Sequence, residues 1–122
     1  MAWDAGTVAR LAGTSEVDVI VSAPDRPVVR APIWIVGVGG DLYVRSWKGD
    51  QGRWYRRARR YGAGVLAVGG EEYAVRFVPV ADAGLDAAVD EAYRGKYRHS
   101  PYAEAMTRAP AAGTTLRVEP VS

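Results

Sequence analysis

Residues Leu42–Tyr61, LYVRSWKGDQGRWYRRARRY, decide how the rest of the chain is read. Leu42-Tyr43-Val44-Arg45-Ser46-Trp47 has the composition of a strand, Lys48-Gly49-Asp50-Gln51-Gly52 breaks it, and Arg53 to Arg60 reads as a short helix. Seven basic residues (Arg45, Lys48, Arg53, Arg56, Arg57, Arg59 and Arg60) stand here against one acid, Asp50. The remaining positions hold nine basic and thirteen acidic residues, and the formal net charge of the whole chain is +2. The basicity is therefore local, which argues for a small anionic partner more than for general polyanion binding. A strand, a glycine-flanked turn and a cation-rich helix start make a cradle suited to a phosphate or another anion.

On a helix of 3.6 residues per turn, Arg53, Arg56, Arg57 and Arg60 fall within about 100° of one another. Trp54, Ala58 and Tyr61 share the other side and are expected to pack on the body of the protein. Like charges at this spacing repel by a few tenths of a kcal/mol per pair. Their retention hints at an anionic partner, with a solvated helix face as the alternative. Arg45 and Ser46 are consecutive in a strand and point to opposite faces, Ser46 sharing the inward parity of Leu42 and Val44.

Working outward, Gly39-Gly40-Asp41 makes a tight turn into this segment from the β-branched run Val28–Val38, within which Pro32 marks a bulge or an edge. Glu16–Ser22 alternates as a half-exposed strand, and Pro24-Asp25-Arg26-Pro27 is a turn. A short helix over residues 5–12 opens the chain, with Asp4 as its cap and Trp3 folded over Val8. Downstream, Val65–Val68 and Glu71–Val80 form a hairpin around Gly69-Gly70. Leu85, Ala88, Val89, Ala92, Tyr93 and Tyr97 carry helical spacing over residues 83–97, and Asp86 and Asp90 read as a solvated face of that helix. Ser100-Pro101 starts a short helix over 102–107, and Thr114–Glu119 is a last strand. The expectation is one α+β domain over residues 1–122: six mostly antiparallel strands closing into a barrel, with peripheral helices.

The 122 residues suffice for a core without staples. There is no cysteine, which removes disulfides, thiolate metal sites and a cysteine nucleophile. His99 is the single histidine, so a histidine-based metal site or a Ser-His-Asp triad is not expected, and no metal ligands are assigned. No carboxylate pair stands at catalytic spacing, and no catalytic residue is assigned. The start Met1-Ala2-Trp3-Asp4 lacks a basic segment followed by an apolar run, so no signal peptide is read and the cytoplasm is the expected location. No apolar stretch approaches the roughly 20 residues of a membrane span, so no membrane partner is expected. Nucleic acid is not expected either: there is one basic patch, no recognised motif, and a helix too short to read a groove.

The segments Arg30-Ala-Pro-Ile-Trp-Ile-Val, Gly39-Gly-Asp-Leu-Tyr-Val-Arg-Ser-Trp-Lys-Gly, Arg53-Trp-Tyr-Arg and the hairpin ending Phe77-Val-Pro-Val resemble the FMN-binding split-barrel superfamily. That group includes pyridoxamine-phosphate-oxidase-like proteins and deazaflavin-dependent nitroreductases. Together with Ala92-Tyr93-Arg94-Gly95-Lys96-Tyr97 and Ser100-Pro101-Tyr102, the pattern is most similar to a small family of unknown function within it. The resemblance spans about residues 5 to 118. It implies a six-stranded split barrel, a homodimer, and an FMN or deazaflavin bound near the dimer interface through its phosphate. By position it assigns phosphate contact to Arg45, Ser46, Lys48, Arg53 and Arg56. It places Arg30 facing the cofactor, ring stacking at Trp34 or Trp47, and Trp54 within the matching segment. These aromatics are alternatively core or interface residues. Lys96 and Tyr102 are further candidates to close over a pocket. The short helix carries Trp54-Tyr55-Arg56 where many oxidases have a Lys-x-x-Asn-Leu-like run. Three functions therefore stay open: a flavin- or deazaflavin-dependent oxidoreductase on a small organic molecule, a cofactor-free barrel using the same cleft as a carrier or as a non-redox enzyme such as a cyclase or isomerase, or a homodimeric interaction module without a small ligand.

Overall fold

A computed structural model describes residues 2–121; Met1 and Ser122, at the ends of the expected domain, lie outside the described residues. Three α-helices accompany one antiparallel sheet. Helix α1 is Ala5–Gly13, α2 is Arg53–Tyr61 and α3 is Ala83–Lys96. The strands are β1 Val17–Ala23, β2 Arg26–Ile33, β3 Val36–Val38, β4 Asp41–Val44, β5 Ala63–Val68, β6 Glu71–Pro79 and β7 Leu116–Pro120.

The strands number seven, not the expected six. The run Val28–Val38, read as one strand, is two: β2 ends at Ile33 and β3 begins at Val36. Sheet order is β2-β1-β5-β6-β7-β4-β3, so these two segments occupy opposite edges. Trp34 and Ile35 alone join the edges, and the three steps from Ile33 to Val36 reach only about 10 Å. The sheet must therefore curl until its edges nearly meet, which makes a half-barrel open at one seam. Ile35 is fully buried at that seam, as a residue drawn across the barrel end should be.

The turns follow the sequence closely. Gly39 and Gly40 link β3 to β4 at φ +59° and +87°, and Gly69 and Gly70 link β5 to β6 at +56° and +81°; two positive φ values in a row favour glycine at both positions. Asp4 caps α1 by accepting from the Thr7 amide at 2.9 Å, and Asp82 caps α3 by accepting from the Leu85 amide at 3.0 Å. The expected helix over 102–107 is instead a 3₁₀ turn, Glu104–Thr107, and a second 3₁₀ turn, Ala111–Thr114, precedes β7, which begins at Leu116 rather than at Thr114.

Two apolar clusters hold the fold. The larger fills the inside of the curl with Val19, Val21, Leu42, Val44, Leu66, Val75, Leu116 and Val118, closed by Trp54, Tyr55 and Ala58 of α2. The smaller lies outside β3 and β4, where Val36 and Tyr43 pack against Val89, Tyr93 and Tyr97 of α3 and its continuation. Alternation along β4 thus sends Leu42 and Val44 into the curl and Tyr43 toward α3. The buried face of α2 differs from expectation: Tyr55 is buried and Tyr61 is 44% exposed. The helix meets the barrel through Trp54, Tyr55 and Ala58, so its inward stripe is rotated toward the residue after Trp54.

Candidate functional site

A cleft of about 650 Å³ opens where β2, the end of β4 and the start of α2 converge. Trp34 and Ile33 line one side. Arg45, Ser46, Trp47 and Lys48 supply the turn beyond β4, and Gly52, Arg53 and Trp54 supply the helix start. Arg30 lines it too. Of the residues expected to contact the cofactor, Arg56 lies outside the cleft, in a neighbouring groove that also touches Arg53, and Arg45 borders the cleft but turns its guanidinium toward α3. The size lies within the usual range for small-molecule sites, about 300–1,000 Å³.

Local geometry explains the convergence. The β4 ladder ends at Val44, and the Ser46 amide leaves it to donate to Thr114 Oγ1 at 2.8 Å. The Gly49 amide donates to the Ser46 carbonyl at 2.9 Å, closing a tight turn with Gly49 at φ +66°. The chain then enters α2 at Gly52, where no side chain caps the first turn. A helix start without a cap leaves amides free to meet an anion. Gly52 packs so closely on Ser46 that an added Cβ would collide with its hydroxyl.

The cations of the cleft divide by what they already hold. Arg45 is fully buried, and its guanidinium faces α3, the side Tyr43 also faces. It donates through Nη1 to Asp90 Oδ1 at 2.5 Å and to the Met106 carbonyl at 2.8 Å, through Nε to Thr115 Oγ1 at 2.9 Å, and through Nη2 to the Asp86 carbonyl at 3.2 Å. The guanidinium also lies 5.7 Å from the Tyr93 ring centre. Asp86 and Asp90, read as a solvated helix face, are the partners of a buried cation instead. Arg30 pairs with Asp18 across the β1–β2 ladder, Nη2 to Oδ2 at 2.9 Å. Lys48 and Arg53 have no acceptor among the described residues, and both are exposed.

Aromatic rings form the rest of the site. Trp34 stacks on Tyr97 with centroids 3.8 Å apart and planes 5° from parallel. Tyr97 is fixed in turn, its hydroxyl donating to the Ser15 carbonyl at 2.7 Å and accepting from the Ile35 amide at 3.3 Å. Trp47 and Tyr102 meet edge to face at 5.3 Å, and both are at least half exposed. Tyr102 reaches the cleft from the segment after α3, a placement the Ser100-Pro101-Tyr102 turn signalled only weakly. Met106 and Glu16 also line the cleft and were not anticipated. Lys96 does not line it; its Nζ donates to the Ile35 carbonyl at 2.5 Å, behind the Trp34–Tyr97 stack. Among the described residues no three His, Asp or Glu side chains converge as a metal site.

Burial behind the stack pulls the Lys96 ammonium down to about 8 and pushes the Tyr97 phenol up to about 12. Both shifts favour neutral side chains. Lys96 therefore contributes stability that is present above its unfolded pKa and lost as pH falls through about 8. Tyr97 contributes stability that is present below its ordinary pKa and lost as pH rises toward about 12. Thermal melts from pH 7 to 10 should show Lys96→Met gaining on the wild type most at the low end, with the difference shrinking as pH rises. A difference constant with pH would contradict the assignment.

Residues 7–118 match the family described as "Uncharacterized protein conserved in bacteria (DUF2255)". No curated protein sequence gives a match. Among solved structures, a putative pyridoxamine 5'-phosphate oxidase from Listeria innocua superposes with a TM-score of 0.63 at 12% identity, over 95% of this chain and 90% of that one. An FAD-binding protein from Mesorhizobium loti gives 0.62 at 17%, over 98% and 91%. An F420 reductase gives 0.58 at 16%, over 93% of each chain. The fold is thus the split barrel expected from the sequence. No helix is long and apolar enough to cross a membrane.

Proposed function

We propose that this chain, which belongs to the DUF2255 family, binds the ring and the phosphate-bearing side chain of an FMN or deazaflavin in the Trp34–Arg53 cleft and serves oxidoreduction of a small organic molecule. One observation carries the reading: aromatic walls and unpartnered cations meet around an uncapped helix start in a single cleft. The residues fit such a group. Trp34, held flat by Tyr97, offers a ring surface, with Trp47 and Tyr102 at the mouth. Lys48, Arg53 and the first turn of α2 offer a phosphate seat, with Gly52 packed against the Ser46 hydroxyl beside it. The similarity to pyridoxamine-phosphate-oxidase, FAD-binding and F420 reductase structures supports the same class of ligand.

A bound flavin or deazaflavin would supply hydride or electron transfer. The chain's own part is to seat the phosphate, orient the ring against Trp34 and keep water from one of its faces. The expected homodimer and cytoplasmic location belong to the same proposal, as does the single domain spanning residues 1–122. Charge-assisted bonds of this kind are worth about 1.5–3 kcal/mol. Lys48→Ala and Arg53→Ala are each expected to weaken FMN binding by roughly tenfold or more, read by quenching of flavin fluorescence. Unchanged affinity in both variants would remove the phosphate seat from the account.

One observation favours a second reading. Arg45, expected at the phosphate, is held by Asp90, Thr115 and the Met106 carbonyl, so the cleft offers fewer free cations than expected. A cofactor-free barrel binding an anionic aromatic metabolite needs only Lys48, Arg53 and the rings. Thermal stabilisation by an aromatic carboxylate, with no binding of FMN or deazaflavin, would select it.

A further inference from the structure

Beside the cleft, between α2 and the β1–β2 hairpin, lies a second concavity of about 760 Å³. Six arginines and one acid, Asp50, line it. Asp50 is partly engaged, accepting from Gln51 Nε2 at 3.0 Å. Two of the arginines do structural duty. Arg57 donates to the carbonyls of Val21 at 3.1 Å and Pro27 at 2.7 Å, tying α2 to the hairpin, and Arg59 donates to the Tyr55 hydroxyl at 3.0 Å. Arg26, Arg53, Arg56 and Arg60 have no acceptor among the described residues, and all four are exposed.

A solvated helix face would spread its charges over a convex surface. Here Arg26 comes from β2 and Arg56 and Arg60 from α2, and the fold turns them toward one groove. Arg57 fixes the distance between the two walls, so the cations cannot relax apart without losing its two bonds. Every one of these cations is arginine, whose planar fork binds phosphate bidentately and is less costly to desolvate than an ammonium. We propose that this groove is a second anion site, adjoining the cleft at Arg53 but built on Arg26, Arg56 and Arg60, which the cleft does not contain, and that it takes a linear oligophosphate group of two or more phosphates. A single phosphate would leave most of the converging charge unmet. A nucleic acid is disfavoured because α2 has only nine residues and presents its cations inside a concavity.

The probe is inorganic tripolyphosphate, compared with orthophosphate by titration calorimetry at two salt concentrations, on the wild-type chain, on Arg26→Glu/Arg60→Glu and on Lys48→Ala. All of these side chains are exposed, and circular dichroism verifies that each variant folds. Tripolyphosphate is expected to bind roughly tenfold or more tighter than orthophosphate, to weaken with salt, to be lost in Arg26→Glu/Arg60→Glu and to survive Lys48→Ala. FMN quenching, which reads the cleft, is expected to survive Arg26→Glu/Arg60→Glu, so failure of either site is seen separately. The proposal is overturned if tripolyphosphate shows no preference over orthophosphate, or if its binding survives the groove variant. It is equally overturned if binding depends on Lys48 alone, or if a single-stranded oligonucleotide binds the groove more tightly than tripolyphosphate.

Discussion

Arg45→Ala is expected to destabilise the protein by about 3 kcal/mol, the lower end of the range for removing one partner of a buried ion pair. The guanidinium has no exposed area and four polar partners drawn from α3, the 3₁₀ turn Glu104–Thr107 and Thr115 just before β7. Its loss strands the Thr115 hydroxyl and the Met106 carbonyl inside the protein. The carboxylates of Asp90 and Asp86 keep 26% and 36% of their side chains in solvent, which is why the upper end of the range is not expected. Asp86 Oδ1 already lacks a hydrogen-bond partner, 3.6 Å from the guanidinium. Urea unfolding measures the effect. Arg45→Met combined with Asp90→Leu should recover much of the loss, because an apolar pair of similar volume needs no compensation. A single variant as stable as the wild type would show that Arg45 does not pin α3 to β4.

Gly49→Ala is expected to cost a comparable amount, about 3 kcal/mol, from two sources. At φ +66° alanine sits in the left-handed region, and its Cβ would lie 2.5 Å from Pro110 Cβ. Pro110 is exposed, but the atom struck is bonded directly to its backbone and the Pro110 carbonyl oxygen lies 3.4 Å away, so relief requires the chain to shift rather than a side chain to turn. Because Gly49 follows Lys48 in the turn below the cleft, the same change should displace Lys48 and weaken the anion seat. Thermal unfolding gives the first effect and FMN titration the second. Wild-type stability in this variant would mean that the turn and Pro110 are not in the contact described.

Much of this architecture is written in local pattern. The glycine pairs at 39–40 and 69–70, the Asp4 cap and the apolar stripe of α3 are each decided by residues within a few positions of one another. The cleft was legible in part for the same reason: its lining between Arg45 and Trp54 comes from one continuous stretch, to which folding brings the end of β2 with Trp34, together with Glu16, Tyr102 and Met106. What the sequence hides are relations across long separations. Val28–Val38 reads as one strand because both halves are β-branched, and nothing local says that its two ends belong to opposite edges of the sheet. Asp86 and Asp90 look the same on a helix whether they face water or a buried guanidinium more than forty residues away. Tyr55 and Tyr61 both border the arginine face, and only the docking angle of α2 decides that Tyr55 is the one buried.

The central claim is that the Trp34–Arg53 cleft seats a flavin or deazaflavin by its phosphate. The most direct measurement is the ultraviolet-visible spectrum of the freshly purified protein, followed by titration with FMN and with deazaflavin. The expected result is a flavin-type band that stays with the protein through gel filtration, or saturable micromolar binding of one of the two, weakened by Lys48→Ala and Arg53→Ala. A folded, colourless protein that binds neither at micromolar concentration would contradict it.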